Sequence, residues 1–125
     1  MISAHSDRWM FVYIMTMPRG LKKIGVSAHP EFRLRQLQIA NPNFIELALT
    51  RRVPRSTARW IERRAHKLLA SKRVRGEWFK ASLAESFWAV KTAMQESDAI
   101  ALSRSASMRP VIAARAREKR GFAVE

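Results

Sequence analysis

Residues 9–27 read WMFVYIMTM, PRG, LKKIGVS: two β-rich runs held apart by three turn-forming residues. Proline at 18 presets φ and glycine at 20 tolerates a positive φ, so the stretch predicts an antiparallel hairpin. Just downstream, Ser27-Ala28-His29-Pro30-Glu31 is a helix start, because a proline at the first helical position gives up only an N–H that would lack a partner there. That helix is expected over 30–40, with Asn41-Pro42 as its stop. Next, FIELALTRRV (44–53) alternates, with Ile45, Leu47 and Leu49 on one side, and predicts a third strand with one buried face.

Beyond Pro54, Ser56 is placed to cap a second helix, in which Ile61, Ala65, Leu68 and Leu69 recur at three- and four-residue spacing. Arg59, Arg63 and Lys67 line a different ridge of it. Gly76 breaks the pattern, and Glu77-Trp78-Phe79 reads as extended or turn-like. Ser82 with Glu85 three residues on forms a capping box, opening a third helix expected to pack by Leu83, Phe87, Val90 and Met94. From 98 on, large apolar residues thin out and the chain reads as a basic tail, helical between Val111 and Lys119. The expectation is an α/β (α+β) fold of order β-β-α-β-α-α, a small three-stranded antiparallel sheet flanked by helices. The domain would occupy 9–97, between a stub at 1–8 and the tail at 98–125.

Composition narrows the function. The chain has 125 residues, 24 Lys and Arg against 10 Asp and Glu, a net charge of +14 and no cysteine. One domain is the natural count, and an apolar fraction of 47% supports a packed core. The missing cysteines exclude a disulfide scaffold, a Cys-ligated zinc site and a thiol nucleophile. The apolar run at 9–17 falls far short of the roughly 20 residues of a membrane-spanning helix, so a soluble protein with no membrane partner is expected. Within 51–80, eleven residues are basic and two acidic. Concentrating like charge costs self-repulsion, which a phosphate backbone offsets by counterion release. Nucleic acid, DNA or RNA, is therefore the leading partner class, with Arg35, Arg51, Arg52, Arg59, Arg63, Arg64, Lys67, Arg73 and Arg75 as backbone contacts. Arg104, Arg109, Arg115, Arg117, Lys119 and Arg120 in the tail form a candidate second contact. A monomer or homodimer in the cytoplasm or on the nucleoid fits this reading.

Several pieces occur in a telling order: VYI (12–14), KIGVSAHPEFR (23–33), Asn41-Pro42, IERRAH (61–66) and RGEWF (75–79). Over about 9–90 this set resembles the GIY-YIG endonuclease superfamily, in its phage and bacterial branch where the second motif reads K-I-G. The resemblance implies metal-dependent hydrolysis of a DNA phosphodiester, with Mg²⁺ or Mn²⁺ as cofactor. Glu77 matches the metal-binding glutamate; taken alone it reads as a surface acid beside Arg75 or Lys80. Tyr13, the sole tyrosine, matches the residue proposed to activate water, its phenolate favoured by neighbouring Lys and Arg; taken alone it is a strand tyrosine with its ring in the core. Arg33 matches the helix arginine that steadies charge growing on the phosphate. His66 would take a proton or hydrogen-bond Tyr13, where a lone helix histidine is otherwise structural. Lys23 stands where the superfamily name has a tyrosine, and would hold a phosphate oxygen or lower the Tyr13 pKa. Gly25, Trp78 and Phe79 complete the motifs. The asparagine many members carry after the glutamate is missing, since no asparagine follows Phe79. The alternative reading is a non-catalytic nucleic-acid-binding domain, for DNA or RNA, that keeps the fold.

Overall fold

A computed structural model describes residues 8–120, with side chains described through 106. Residues 1–7 of the N-terminal stub, and the tail cations from Arg109 onward as side chains, lie outside that description. The elements are β1 (Trp9–Met17), β2 (Leu21–Ser27), α1 (Pro30–Ile39), β3 (Glu46–Pro54), α2 (Arg55–Leu68), a 3₁₀ turn (Ala70–Lys72), β4 (Arg73–Arg75), β5 (Trp78–Lys80) and α3 (Leu83–Arg120).

β1 and β2 pair antiparallel from Phe11↔Ser27 to Met17↔Leu21, the hairpin expected of 9–27. Its turn holds two consecutive left-handed residues, Arg19 at φ 70° and Gly20 at φ 73°. The side chain of Lys80 stabilises the non-glycine member by donating to the Arg19 carbonyl. α1 begins at Pro30 as the sequence predicts, and Gln38 near its end ties down the following loop. The Gln38 amide donates to Asn43 O at 2.8 Å and accepts from Ile45 N at 2.8 Å, which sets the start of β3.

The sheet has five antiparallel strands in the order β3-β1-β2-β5-β4, not the three expected. β4 and β5 are three residues each, too short for alternation to register in sequence. Gly76, at φ 56°, turns the chain between them. The element order becomes β-β-α-β-α-β-β-α.

Each face of the sheet carries its own core. One combines Val12, Ile14, Ile24 and Phe79 with Ala58, Ile61, Ala65 and Leu69 around α2, and with Ala89, Val90 and Ala93 of α3. The other joins Tyr13, Met15 and Ile45 to Leu34 and Leu37 of α1, with Met17, Leu47 and Trp78 around them. β3 does not alternate as expected. Ile14 pairs with Leu49 but Met15 with Leu47, so Ala48 is an extra residue, and Leu47 and Leu49 enter opposite cores.

Two further expectations are corrected. Ser56 does not cap α2, because β3 runs into the helix without a loop and Pro54 is the cap residue, with Thr57 Oγ1 donating to Pro54 O at 3.1 Å. α3 packs by Val90 and Met94 as expected, but Ser86, Ala89 and Ala93, all fully buried, replace Leu83 and Phe87, which are 47% and 36% exposed. Small side chains let that helix approach closely, and the buried Ser86 hydroxyl is satisfied by donation to Ser82 O at 2.9 Å. The capping box forms as predicted: Glu85 N donates to Ser82 Oγ at 3.0 Å, and Ser82 N to Glu85 Oε1 at 2.9 Å.

The described residues divide into two compact units with the border between Met94 and Gln95. The second unit is helical through Arg120, well beyond the 111–119 stretch read from sequence, in keeping with its Ala-rich composition. Among the described residues no helix is long and apolar enough to cross a membrane.

Candidate active site

Tyr13 and Gly25 are Cα partners on β1 and β2, and their side-chain positions share the sheet face that α1 partly covers. A Cβ built on Gly25 would stand 2.5 Å from Tyr13 Oη, 2.6 Å from its Cζ and 3.1 Å from Glu77 Oε1. The phenol and the carboxylate therefore close over the glycine, which is a close-approach position where a side chain has no room.

Lys23, two residues earlier on the same face, is 6% exposed, and its Nζ lies 2.7 Å from Glu77 Oε1. The Trp78 ring lies 5.8 Å from the same ammonium. Glu77 reaches this place because the chain turns at Gly76 and its own carbonyl accepts Ile24 N at 3.2 Å, just past the last β2–β5 pair. At 41% exposure the Glu77 side chain keeps one side toward solvent.

α2 brings two groups to the same end of β2. Glu62 is 5% exposed and lies within electrostatic reach of Glu77. Burial pushes the Glu62 carboxyl above the ordinary range, the Glu77 charge adds to the push, and Arg59 and Lys23 oppose it. His66, one turn on, places Nε2 2.7 Å from the Ile24 carbonyl. A carbonyl only accepts, so Nε2 carries the proton and donates. Burial pulls this imidazole below its usual pKa, with the Ile24 hydrogen bond working the other way. The neutral ring then keeps Nδ1 unprotonated. The partner of His66 is thus a backbone carbonyl of β2, not Tyr13 as the sequence reading allowed.

Arg33 comes from the first turn of α1, where its N–H donates to His29 O at 3.0 Å. Its guanidinium acts on the Tyr13 hydroxyl and favours its ionised form. The expectation that surrounding cations favour the phenolate is overturned: burial first, and the Glu77 carboxylate second, push Tyr13 up to about 12, against the pull of Arg33. Tyr13 is a protonated phenol at neutral pH.

Tyr13, Lys23, Arg33 and Glu77 thus meet in one cleft, and His66 stands at its α2 side, within electrostatic reach of Glu77. Glu62 is the member that sequence reasoning left out of the site. Its signal was present, since it lies one turn from His66 on the same helix face, but Arg59 three residues before makes it look like half of a surface ion pair; that contact is 3.9 Å. Phe79 is fully buried, 5.1 Å from the His66 ring, and fixes that histidine from the core side.

The candidate nucleic-acid residues do not share one surface. Arg59 acts on Glu62 and Arg73 on His66, so both border the cleft, and Arg73 also lies over the Phe79 ring at 5.3 Å. Arg63, Lys67 and Arg75 are exposed on α2 and β4, and Arg64 is half-buried on α2. Adjacent on β3, Arg51 and Arg52 point to opposite faces; Arg51 lies 5.6 Å from the Phe87 ring and Arg52 4.2 Å from the Trp9 ring. Arg35 on α1 lies 5.8 Å from the Phe32 ring.

The site thus belongs to a small α+β domain, within a chain of net charge +14, whose acid–base groups gather around β2. Residues 10–94 match the T5orf172 domain, and the chain belongs to that family, a phage-derived domain found in nuclease-like proteins and associated with DNA binding. Neither a curated protein nor a solved structure matches the chain.

Among the described residues there is no group of three or more His, Asp or Glu side chains able to hold a metal ion. Glu77, half-exposed and with the Glu62 carboxyl beside it, nonetheless fits a hydrated hard cation, because Mg²⁺ retains several waters and needs only one or two protein carboxylates.

Proposed function

We propose that this chain is a GIY-YIG-like endonuclease that hydrolyses DNA phosphodiester bonds with a divalent metal, Mg²⁺ or Mn²⁺. The observation that carries the reading is the closure of Tyr13 and Glu77 over Gly25, with Lys23 on the same carboxylate. With no Cβ at 25, the Tyr13 hydroxyl and the Glu77 carboxylate occupy that space, which brings a phenol, a carboxylate and the Lys23 ammonium together at one point of the sheet.

Glu77, with Glu62 beside it, would hold the metal, which when bound supplies Lewis-acid charge and lowers the pKa of its water. Arg33 offers a planar double donor for the phosphoryl oxygens, and Lys23 a compact ammonium. Tyr13 keeps its proton and acts as a hydrogen-bond donor, its orientation set by Arg33. His66, neutral with Nε2 bound to Ile24, retains one nitrogen able to accept a proton. Cations along α2 and at Arg73 would follow the backbone without reading bases.

A second reading, a nucleic-acid-binding domain without cleavage, is favoured by one observation: Lys23 already neutralises Glu77 Oε1 at 2.7 Å, where a metal would otherwise supply the positive charge. A plasmid-nicking assay separates the two. With Mg²⁺ or Mn²⁺ the purified protein should nick supercoiled DNA, chelator should abolish nicking, and Glu77→Gln should abolish it with the fold retained. Absence of metal-dependent nicking in the wild type would leave the binding reading.

A further inference from the structure

On the sheet face that carries Tyr13, a pocket of about 570 Å³ opens between the sheet and the start of α1. That size lies within the ~300–1,000 Å³ usual for small-molecule sites. Phe11 lines it from β1, two residues before Tyr13, and Thr50 from β3, where it is the Cα partner of Tyr13. From α1 and the residue before it come His29, Glu31, Phe32 and Arg35. Phe11 and Thr50 are thus neighbours of Tyr13 in the sheet, while the buried Tyr13 ring leans the other way, over Gly25.

Its lining combines flat apolar surface with donors and acceptors. Phe32 is 54% exposed although Leu34 and Leu37 of the same helix pack inward, and the Arg35 guanidinium lies over its ring. On the same face Trp9 is covered by Arg52. Aromatic rings interleaved with guanidinium groups along a basic surface are the chemistry on which single-stranded bases stack. Thr50, His29 and Glu31 add the hydrogen-bonding groups that a base edge needs. A base within a duplex has both π faces covered, so this pocket is open only to one that has left the stack.

We propose that the pocket receives one unpaired nucleobase of bound DNA, so that the substrate class is DNA containing an unpaired nucleotide: a single strand, a flap or a gap. The position of the scissile phosphate rests on the endonuclease reading; capture of the base is a binding property and is tested without cleavage.

The test is fluorescence anisotropy in chelator, with a labelled single-stranded oligonucleotide and the matching duplex, on the full chain and on Phe32→Ala, Phe32→Leu and Phe32→Trp. Loss of stacking should weaken single-strand binding by about tenfold in the Ala and Leu variants, while Trp retains it. Duplex binding should change less than about twofold, since the cations that meet the backbone are untouched. A 2-aminopurine placed within the strand should change its emission on binding the wild type and not Phe32→Leu. Equal weakening of both DNA forms, or no weakening of either, overturns the proposal, and Phe32→Leu behaving like wild type overturns it as well, since apolar volume alone would then suffice. Nicking activity with no Phe32 effect would sink the pocket and spare the nuclease; a Phe32 effect without nicking would do the reverse.

Discussion

Gly25 is the residue on which Tyr13 lies: the two are strand partners, and the space where a Cβ would stand is held by the tyrosine hydroxyl and its ring carbon. Gly25→Ala must displace a buried ring from both Arg33 and Glu77. We expect nicking to fall by at least about tenfold, while overpacking costs about 1–3 kcal/mol, read by thermal melting. Full activity in this variant would place the reacting phosphate elsewhere.

Tyr13 is the only tyrosine in the chain, so phenolate absorbance at 295 nm reports it alone. The midpoint should lie near pH 12, above the ordinary 10, because burial and Glu77 both oppose ionisation. The sign for stability follows: a raised pKa in the folded state leaves stability intact below pH 10 and lowers it as pH climbs through about 12. Arg33→Met, which removes a group that pulls the other way, should move the midpoint higher still.

Lys23 and Glu77 form an ion pair with one buried and one half-exposed partner. Glu77→Gln leaves a nearly buried ammonium beside an amide, and should cost about 1–2 kcal/mol, less than a fully buried pair because water reaches the carboxylate. In a double-mutant cycle with Lys23→Met, the double variant should recover part of that loss in chemical denaturation. Strict additivity would mean the two charges do not interact in solution.

Glu85 has its carboxyl held down at about 2 by the Ser82 backbone N–H and by Lys72, whose ammonium is 2.9 Å away. A depressed pKa gives stability that is present above the unfolded value of 4.5 and is lost as pH falls through about 2. The difference in denaturant midpoint between wild type and Glu85→Gln should therefore shrink between pH 5 and pH 2.

Arg59 and Arg73 border the cleft, and a cation that neutralises one phosphate adds about one to the slope of log affinity against log salt. Arg59→Ala and Arg73→Ala, measured on duplex DNA, should each flatten that slope by about one and weaken all sequences alike. A sequence-dependent effect would mean that one of them reads a base edge.

Much of the frame is legible in the sequence because its signals are local. The hairpin at 9–27, the Pro30 helix start and the Ser82/Glu85 box each rest on residues within a few positions of one another. Tyr13, Lys23, Arg33 and Glu77 are found through motif order, although nothing local says that they meet. What stays hidden is tertiary. Strands of three residues have no period to read, so β4 and β5 escape notice. Glu62 carries a surface ion-pair spacing, and only its packing against Glu77 reveals the second carboxylate. Lysines and arginines near Tyr13 in sequence suggest a readily lost proton, yet desolvation and Glu77 dominate once the ring is buried. Leu83 and Phe87 follow helical spacing faithfully, but the sheet selects the neighbouring small-residue stripe instead.

The extra residue at Ala48 has a consequence for inheritance. Because Leu47 and Leu49 fill different cores, a strand that would otherwise serve one layer spans both, and a single-codon deletion there would reverse one half of β3 while leaving the other in register. Drift in this family should therefore tolerate exchange of side chains at 47 and 49 far more readily than any change in the count of residues between them.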